Sequence, residues 1–403
     1  MESTVNMKGK KRISLLVLLL VVILAIGLVT IGCVSGLTPI GWSGGTVSSG
    51  TLFVGSNEGR LVAINLADGS RLWSDQLKAV SQPGLFGCSP AMGGGGCGAA
   101  SAGMAIYGTP VVSGELAYMA GYNGKIFACN TNNLATRWVY PRDSYLPPIV
   151  GGLVVDRGKV FFGCSSGKID NKEVNGPIFA LDAVTGDKLW EIATGEKIWG
   201  TPAIDGDTLY IGSFDKKLYA LNTADGSKKW EFVTEGAIIS TPLVHNGTIF
   251  IGSFDRNLYA VNAIDGKLKW KFMGENWFWA EPAVFNDTIY AGCLDGNIYV
   301  LKAGSGEKVK SFEVKSPVSS QPVMVGSSII FATRQGEIFK VDTSNNEIKL
   351  LTGLEKVLKH DVTVDGPLTA YEGIVYVHTQ DGALQRIDAV KGWLNSVSLA
   401  KPN

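Results

Sequence analysis

Short runs of alternating apolar and polar residues fill the chain after its first forty positions. The segments 208–213 and 217–222 are rich in aromatic and β-branched residues and are bounded by Asp-Gly or Lys-Lys turns, the pattern of β-hairpins. Two further strands are predicted at 201–205 and from about Lys229 onward. Residues 201–230 therefore form one unit of four antiparallel strands.

This unit recurs along the chain. Residues 241–270 repeat residues 201–230 forty positions later and match them at about half of the positions. Five times a tryptophan follows an alanine by ten residues, with a glycine turn before it in four of the five cases, at Trp73, Trp138, Trp190, Trp230 and Trp270. Weaker copies bring the total to eight units, at 46–73, 110–138, 148–190, 201–230, 241–270, 282–310, 322–343 and 367–388.

A period near forty residues with four strands per unit is typical of propeller blades. Eight four-stranded sheets arranged radially close into a ring, which protects their edges. The alternative, an open solenoid, needs polar capping units at both ends, and the sequence shows none. We therefore predict an all-β, eight-bladed β-propeller of four-stranded antiparallel blades over residues 37–403, preceded by one N-terminal transmembrane or signal helix.

Residues 1–36 have a different character. Basic residues at Lys8, Lys10, Lys11 and Arg12 precede 13–34, a stretch of 22 residues without a charge. This length suffices to cross a hydrocarbon core of roughly 30 Å, and the preceding positive charge places the propeller outside the cytoplasm. Three fates stay open: a retained single-pass anchor, a lipid-modified Cys33, or an ordinary cleaved signal.

Composition and charge restrict the partners. The chain has 51 glycines, and only 18% of its residues are charged, which fits many tight turns between apolar strands. The 36 basic and 36 acidic side chains cancel, and no basic stripe is present. Nucleic acid is therefore not an expected partner.

The cysteines are compatible with an exported protein but do not require one. Cys88 and Cys97 enclose a glycine-rich insertion and either form a disulfide or remain two separate thiols in a loop. Cys129, Cys164 and Cys293 fall on strand positions and are expected to be buried thiols. A metal site is not expected, because the three histidines show no ligand spacing.

The segment 180–190, Ala-Leu-Asp-Ala-Val-Thr-Gly-Asp-Lys-Leu-Trp, resembles the tryptophan-docking motif of the pyrroloquinoline quinone-type propeller repeat. The resemblance covers nearly all of 46–393. It implies that Trp73, Trp138, Trp190, Trp230 and Trp270 pack between adjacent blades as structural residues. Two kinds of protein carry this repeat: quinoprotein alcohol and sugar dehydrogenases, and the scaffold lipoprotein of the outer-membrane β-barrel assembly machine, which is similar in length and layout.

The enzymes of this family use the quinone with a calcium-like cation, and often a pair of adjacent cysteines. This chain has no such pair and no long insertions in units four to seven. Its best oxygen cluster, Asp170, Asn171 and Glu173, is more typical of a solvated loop. We therefore expect no cofactor, no catalytic residue and no metal site, with a quinone-dependent dehydrogenase as the alternative.

Aromatic residues recur just before the first strand of successive units. Tyr107, Tyr145, Trp199 and Trp279 lie three positions before a proline, and Trp277 lies two positions before Trp279. Equivalent positions in a radial repeat should meet at one mouth of the central channel. These side chains either plug the channel, bind a partner or peptide, or stack on a planar ligand.

These observations lead to one functional hypothesis. The chain is expected to be a membrane-anchored, extracytoplasmic propeller that serves as a non-catalytic scaffold for other envelope proteins. A carbohydrate-binding surface propeller is the other alternative, alongside the dehydrogenase.

Overall fold

The structure is a computed structural model that describes residues 41, 43–77 and 105–402. The predicted N-terminal helix at 13–34, the lipidation candidate Cys33 and the disulfide candidates Cys88 and Cys97 all lie outside these residues. Within them, no helix combines the length and the apolar character needed to span a membrane.

The described chain forms eight four-stranded antiparallel sheets, each built from strands that follow one another in sequence. Blade 1 consists of β1 (Gly45–Ser48), β2 (Thr51–Gly55), β3 (Leu61–Asn65) and β4 (Arg71–Trp73), and blade 2 of β5 (Val111–Ser113), β6 (Leu116–Gly121), β7 (Lys125–Asn130) and β8 (Thr136–Tyr140). Blade 3 consists of β9 (Val154–Asp156), β10 (Lys159–Gly163), β13 (Pro177–Asp182) and β14 (Lys188–Ala193), and blade 4 of β15 (Ala203–Asp205), β16 (Thr208–Gly212), β17 (Lys217–Asn222) and β18 (Lys228–Val233). A separate hairpin, β11 (Gly167–Ile169) and β12 (Lys172–Val174), is inserted into blade 3.

Blades 5 to 8 follow the same plan. Blade 5 consists of β19 (Leu243–His245), β20 (Thr248–Gly252), β21 (Asn257–Asn262) and β22 (Leu268–Met273), and blade 6 of β23 (Ala283–Phe285), β24 (Thr288–Gly292), β25 (Asn297–Lys302) and β26 (Lys308–Glu313). Blade 7 consists of β27 (Val323–Val325), β28 (Ser328–Ala332), β29 (Glu337–Asp342) and β30 (Glu347–Gly353), and blade 8 of β31 (Thr369–Tyr371), β32 (Ile374–His378), β33 (Ala383–Asp388) and β34 (Gly392–Ser398). A short helix, α1 (Leu354–Leu358), follows β30. The predicted eight-bladed propeller of four-stranded blades is confirmed.

The apolar core is divided among the gaps between blades. Alternate strand residues point to opposite faces of a sheet, so each blade packs against both neighbours. Among the described residues, eight buried clusters each join two adjacent blades, and one of them joins blade 1 to blade 8. The Thr369 hydroxyl of blade 8 also accepts a hydrogen bond from the N–H of Gly45 in blade 1 (2.9 Å) and donates one to the carbonyl of Gly45 (2.7 Å). The ring therefore closes without exchanging strands between its ends.

A β-bulge orients the docking tryptophans. In blade 3 the register shifts between Ala180 and Leu181, which places Trp190 opposite Ala180. The Trp190 indole then donates a hydrogen bond to the Thr223 carbonyl (3.2 Å) and lies against Gly226 of the next blade. Three other tryptophans dock in the same way, Trp138 on Ala183, Trp230 on Ala263 and Trp270 on Ala303.

Trp73 docks in the opposite direction. Strand β4 pairs with β3 without a bulge, so Trp73 lies opposite Val62 rather than Ala63. A slip of one residue moves a side chain to the other face of a sheet. The Trp73 indole accordingly faces blade 8 and donates to the Leu399 carbonyl (3.1 Å), where it becomes part of the closing seam.

The three strand cysteines are buried, as expected. Cys129, Cys164 and Cys293 are all free thiols with no exposed surface. Burial raises the pKa of Cys129 to about 11 and that of Cys293 to about 12. Since the thiolate is the reactive form, these thiols are structural and inert at neutral pH.

Candidate functional site at the mouth of the central channel

Five described connections between consecutive blades combine a buried anchor with a following residue that lines the channel. Ile198 is fully buried against Gly163 of the preceding blade, and its N–H donates to the Cys164 carbonyl (3.0 Å). The next residue, Trp199, lines the channel, and its indole donates to the Ser165 hydroxyl (3.1 Å). Four other connections seat their anchor against a glycine in the same way: Ile106 on Gly55, Ile238 on Gly212, Phe278 on Gly252 and Val318 on Gly292.

These connections enclose a cavity of about 410 Å³ in the central channel. Two layers of residues line it. The outer layer, here called the channel mouth, consists of Tyr107, Val150, Trp199, Ile239, Trp279, Ser319 and Asp365. The inner layer lies two residues further along each connection and consists of Thr109, Gly152, Thr201, Thr241, Glu281, Gln321 and Pro367.

Five aromatic rings form a continuous surface beside the channel, here called the aromatic crescent. Its members are Trp199, Phe214, Phe254, Trp277 and Trp279. Ring centroids are separated by 4.8 Å between Trp199 and Phe214 and by 6.0 Å between Phe214 and Phe254. Phe254 then stacks on Trp277 at 4.2 Å and lies 5.8 Å from Trp279. The Lys197 ammonium lies 4.7 Å from the Trp199 ring and 4.5 Å from the Phe214 ring.

Phe214 and Phe254 are not among the residues that the sequence pattern predicts for this site. Each follows a Gly-Ser pair at the end of the second strand, and that repeated Gly-Ser-Phe-Asp segment was the available signal. The aspartate fixes the loop: the Asp255 carboxylate accepts hydrogen bonds from the Tyr259 hydroxyl (2.8 Å) and from the Glu235 N–H (2.9 Å). Burial opposes ionisation of Asp255, but hydrogen bonds from Asn257 and Tyr259 outweigh it and hold its pKa below the usual range.

Two of the predicted aromatic residues lie elsewhere than expected. Val150, not Tyr145, occupies the channel position of blade 3, because the first strand of that blade begins at Val154, six residues after Pro148. Tyr145 instead lies beside Lys125, whose ammonium is 4.4 Å from its ring centroid. Trp277 belongs to the aromatic crescent but lies outside the channel lining, with 39% of its surface exposed.

The side of the mouth formed by blades 7 and 8 is polar. Asp365 is its centre, with 12% of its side chain exposed. Its carboxylate pairs with the Arg334 guanidinium (3.2 Å) and accepts hydrogen bonds from Ser319 (3.3 Å) and Gln380 (3.2 Å). The charge of Asp365 is thus balanced by Arg334, which itself does not line the cavity.

Glu281 is the other carboxyl group of the lining. Its side chain is half-buried, and it accepts a hydrogen bond from the Gln321 amide (2.6 Å). The channel walls surround the carboxyl, and this desolvation raises its pKa to about 8. Glu281 has no ion-pair partner among the described residues.

The channel lining does not fit the quinone cofactor of the dehydrogenases. That quinone is an anionic carboxylate, and its cation needs several oxygen ligands. The described lining has two carboxyl groups and no lysine, arginine or histidine. No group of three acidic, histidine or cysteine side chains in the described ranges is arranged to hold a metal ion.

Comparison with known proteins identifies the repeat. The sequence matches the family described as outer membrane protein assembly factor BamB over residues 30–173 and 174–392. The chain belongs to the BamB family. A curated protein of that name from Kangiella koreensis is 28% identical over 157 residues, 39% of this chain. The match spans only 33% of the length of that relative.

Solved structures agree on the fold. The crystal structure of BamB from Moraxella catarrhalis superimposes with a TM-score of 0.63 at 18% identity, over 85% of this chain and 92% of that one. A computationally designed protein, Ika8, gives a TM-score of 0.67 at 14% identity, over 89% and 98% of the two chains. The designed protein matches at least as well as the natural BamB, so this likeness shows the fold alone.

Proposed function

We propose that this protein is a non-catalytic scaffold of the cell envelope that binds partner proteins at its aromatic crescent, beside the channel mouth. Membership of the BamB family supports the class of task, since its relatives are named as assembly factors for outer membrane proteins. The observation that carries the proposal is the aromatic crescent. A few hot-spot residues, among which tryptophan is enriched, carry most of the binding energy at protein interfaces, and phenylalanine is also enriched at interface cores.

The proposal includes the membrane. The uncharged stretch 13–34, preceded by basic residues, directs the chain to the membrane and places the propeller on the outer side. Retention of this stretch, cleavage, and lipid attachment at Cys33 are distinguished by the intact mass of the membrane-extracted protein. The cofactor-free state is also part of the proposal.

The test combines crosslinking with a matched pair of double variants. A photoactivatable phenylalanine analogue at Phe214 is crosslinked in intact membranes, and the adduct is identified by mass spectrometry. Trp277→Ala with Trp279→Ala should leave the fold intact but weaken partner capture by roughly 2 kcal/mol per residue. The control, Val233→Ala with Met273→Ala, removes side chains that are 60% and 59% exposed at the ends of β18 and β22.

Two results would contradict the proposal. One is an adduct yield that stays at the wild-type level in both the tryptophan double variant and the control double variant. The other is dye-linked oxidation of alcohols or sugars after addition of the quinone and calcium, which would make the protein an enzyme.

A further inference from the structure

The lining of the channel carries an unbalanced acidic group. Of its two carboxyl groups, Asp365 is paired with Arg334, whereas Glu281 receives only the neutral amide of Gln321. The other titratable group of the described lining is Tyr107. An ionised carboxylate in such a site lacks a counter-charge, and a desolvated charge is costly unless it is paired.

Aromatic residues line the same cavity as this carboxyl group. Trp279 precedes Glu281 by two residues, which is about 6–7 Å along an extended chain, and both line the cavity together with Trp199 and Tyr107. Indole faces attract cations. The crescent already holds one ammonium in this way, that of Lys197 on Trp199 and Phe214, and Lys197 itself does not line the channel.

We propose that the channel mouth is a binding site for an organic cation, an ammonium or guanidinium group that lies between the indole rings of Trp199 and Trp279 and pairs with Glu281. The group belongs to a lysine or arginine side chain of a partner or to a free amine. The cavity of about 410 Å³ accommodates such a side chain. This inference specifies the partner chemistry of the proposed scaffold and to that extent rests on it.

Binding also moves a proton. The free protein holds Glu281 largely protonated at pH 7, since its pKa is about 8. Pairing with a cation favours the ionised carboxylate, so that one proton leaves the carboxyl for the solvent as the cation enters. Affinity should therefore rise with pH between about 6 and 9.

Calorimetric titration of the full chain in a neutral detergent tests the site. The probe is N-acetyl-lysine methylamide, and its norleucine analogue lacks the ammonium group. The lysine probe should bind and the norleucine probe should not. In buffers of different ionisation enthalpy, the heat of binding should report the release of a proton at pH 7.

Two matched substitutions locate the effect. Glu281→Gln keeps the shape of the side chain and should weaken the lysine probe by roughly tenfold to a hundredfold, the range for losing a charged hydrogen-bond partner. Glu275→Gln removes the same charge from an exposed position on the same connection and should change nothing. The site would be overturned if the lysine probe bound the wild type and Glu281→Gln equally well. It would also be overturned if the norleucine probe bound the wild type as well as the lysine probe does.

The two sources of the cation are separated by the crosslinking experiment at Phe214. If Glu281→Gln lowers the adduct yield, the cation is a partner side chain. If the adduct is unchanged and only the free lysine probe is lost, the site binds a free amine. If neither changes, the inference fails while the scaffold proposal stands.

Discussion

At the scale of single residues, the tryptophans do more than fill volume. Trp270 is 8% exposed, donates to the Ala303 carbonyl (2.8 Å) and lies against Gly306 of the following blade. One side chain thus supplies both apolar contact and a hydrogen bond to a turn of the next blade. Removing the ring and removing the N–H alone should therefore have separable effects.

Trp270→Ala should lower the free energy of unfolding by about 3–5 kcal/mol, the usual range for truncating a buried aromatic side chain. Trp270→Phe retains much of the ring contact but loses the hydrogen bond, and should cost less. Chemical denaturation followed by circular dichroism measures both. Leu268→Ala, on the same strand and 47% exposed, is the control and should change stability by less than about 0.5 kcal/mol. A Trp270→Ala variant as stable as this control would disprove the docking role.

Glu281 should make stability depend on pH. The unfolded chain ionises this carboxyl near its ordinary pKa of 4.5, whereas the folded protein keeps the proton up to about pH 8. Unfolding therefore releases a proton between these values, and the contribution of Glu281 to stability, complete below pH 4.5, is lost as pH rises to 8. Relative to Glu281→Gln, the wild type should lose melting temperature across this window. A difference in melting temperature between the two proteins that stays constant from pH 5 to 8 would contradict this.

At the scale of the strand and turn, the glycine in the turn before the fourth strand of a blade has different surroundings in different blades. Gly306 and Gly69 have the same turn position and nearly the same backbone, with φ of +72° and +74°. A Cβ on Gly306 would approach the Trp270 ring to 2.6 Å, whereas a Cβ on Gly69 would meet nothing within 4 Å. The comparison separates backbone strain from docking.

Gly69→Ala should cost only the left-handed backbone strain, roughly 1–2 kcal/mol. Gly306→Ala should cost clearly more, because the added methyl group displaces the docked indole as well. Thermal denaturation of the two variants measures the difference. Equal losses would show that the turn tolerates movement of Trp270.

At the scale of the whole molecule, closure of the ring depends on non-covalent contacts between blades 8 and 1. Thr369 bonds both the N–H and the carbonyl of Gly45 across this seam. Thr201 makes a similar bond to the Gly152 N–H (2.8 Å) between blades 3 and 4, which the chain already connects. The same residue type thus lies at a closing seam and at an internal one.

Thr369→Val removes two hydrogen bonds with little change in shape. It should increase hydrogen exchange on both sides of the closing seam, at β1 of blade 1 and at β34 of blade 8. Thr201→Val should raise exchange only near blades 3 and 4, because the covalent connection keeps those blades adjacent. Exchange followed by mass spectrometry distinguishes the two patterns. Identical, purely local changes in both variants would show that the closing seam is not a weak point.

The sequence by itself determined the repeat, the number of blades and, in the clearest unit, the approximate positions of the strands. Alternating apolar residues and turn glycines are local signals, and the predicted third strand at 217–222 coincides with β17 (Lys217–Asn222). The predicted second strand at 208–213 is one residue longer than β16 (Thr208–Gly212). These features depend on neighbouring residues only, so pattern and period suffice.

Tertiary structure decided the register and the composition of the mouth. A missing bulge turned Trp73 toward blade 8, and the late start of β9 put Val150 rather than Tyr145 on the channel. Phe214 and Phe254 join the crescent because loops distant in sequence meet around one axis. The raised pKa of Glu281 likewise comes from channel walls built by several blades. Such properties depend on which elements surround a residue, and spacing along the chain does not contain that information.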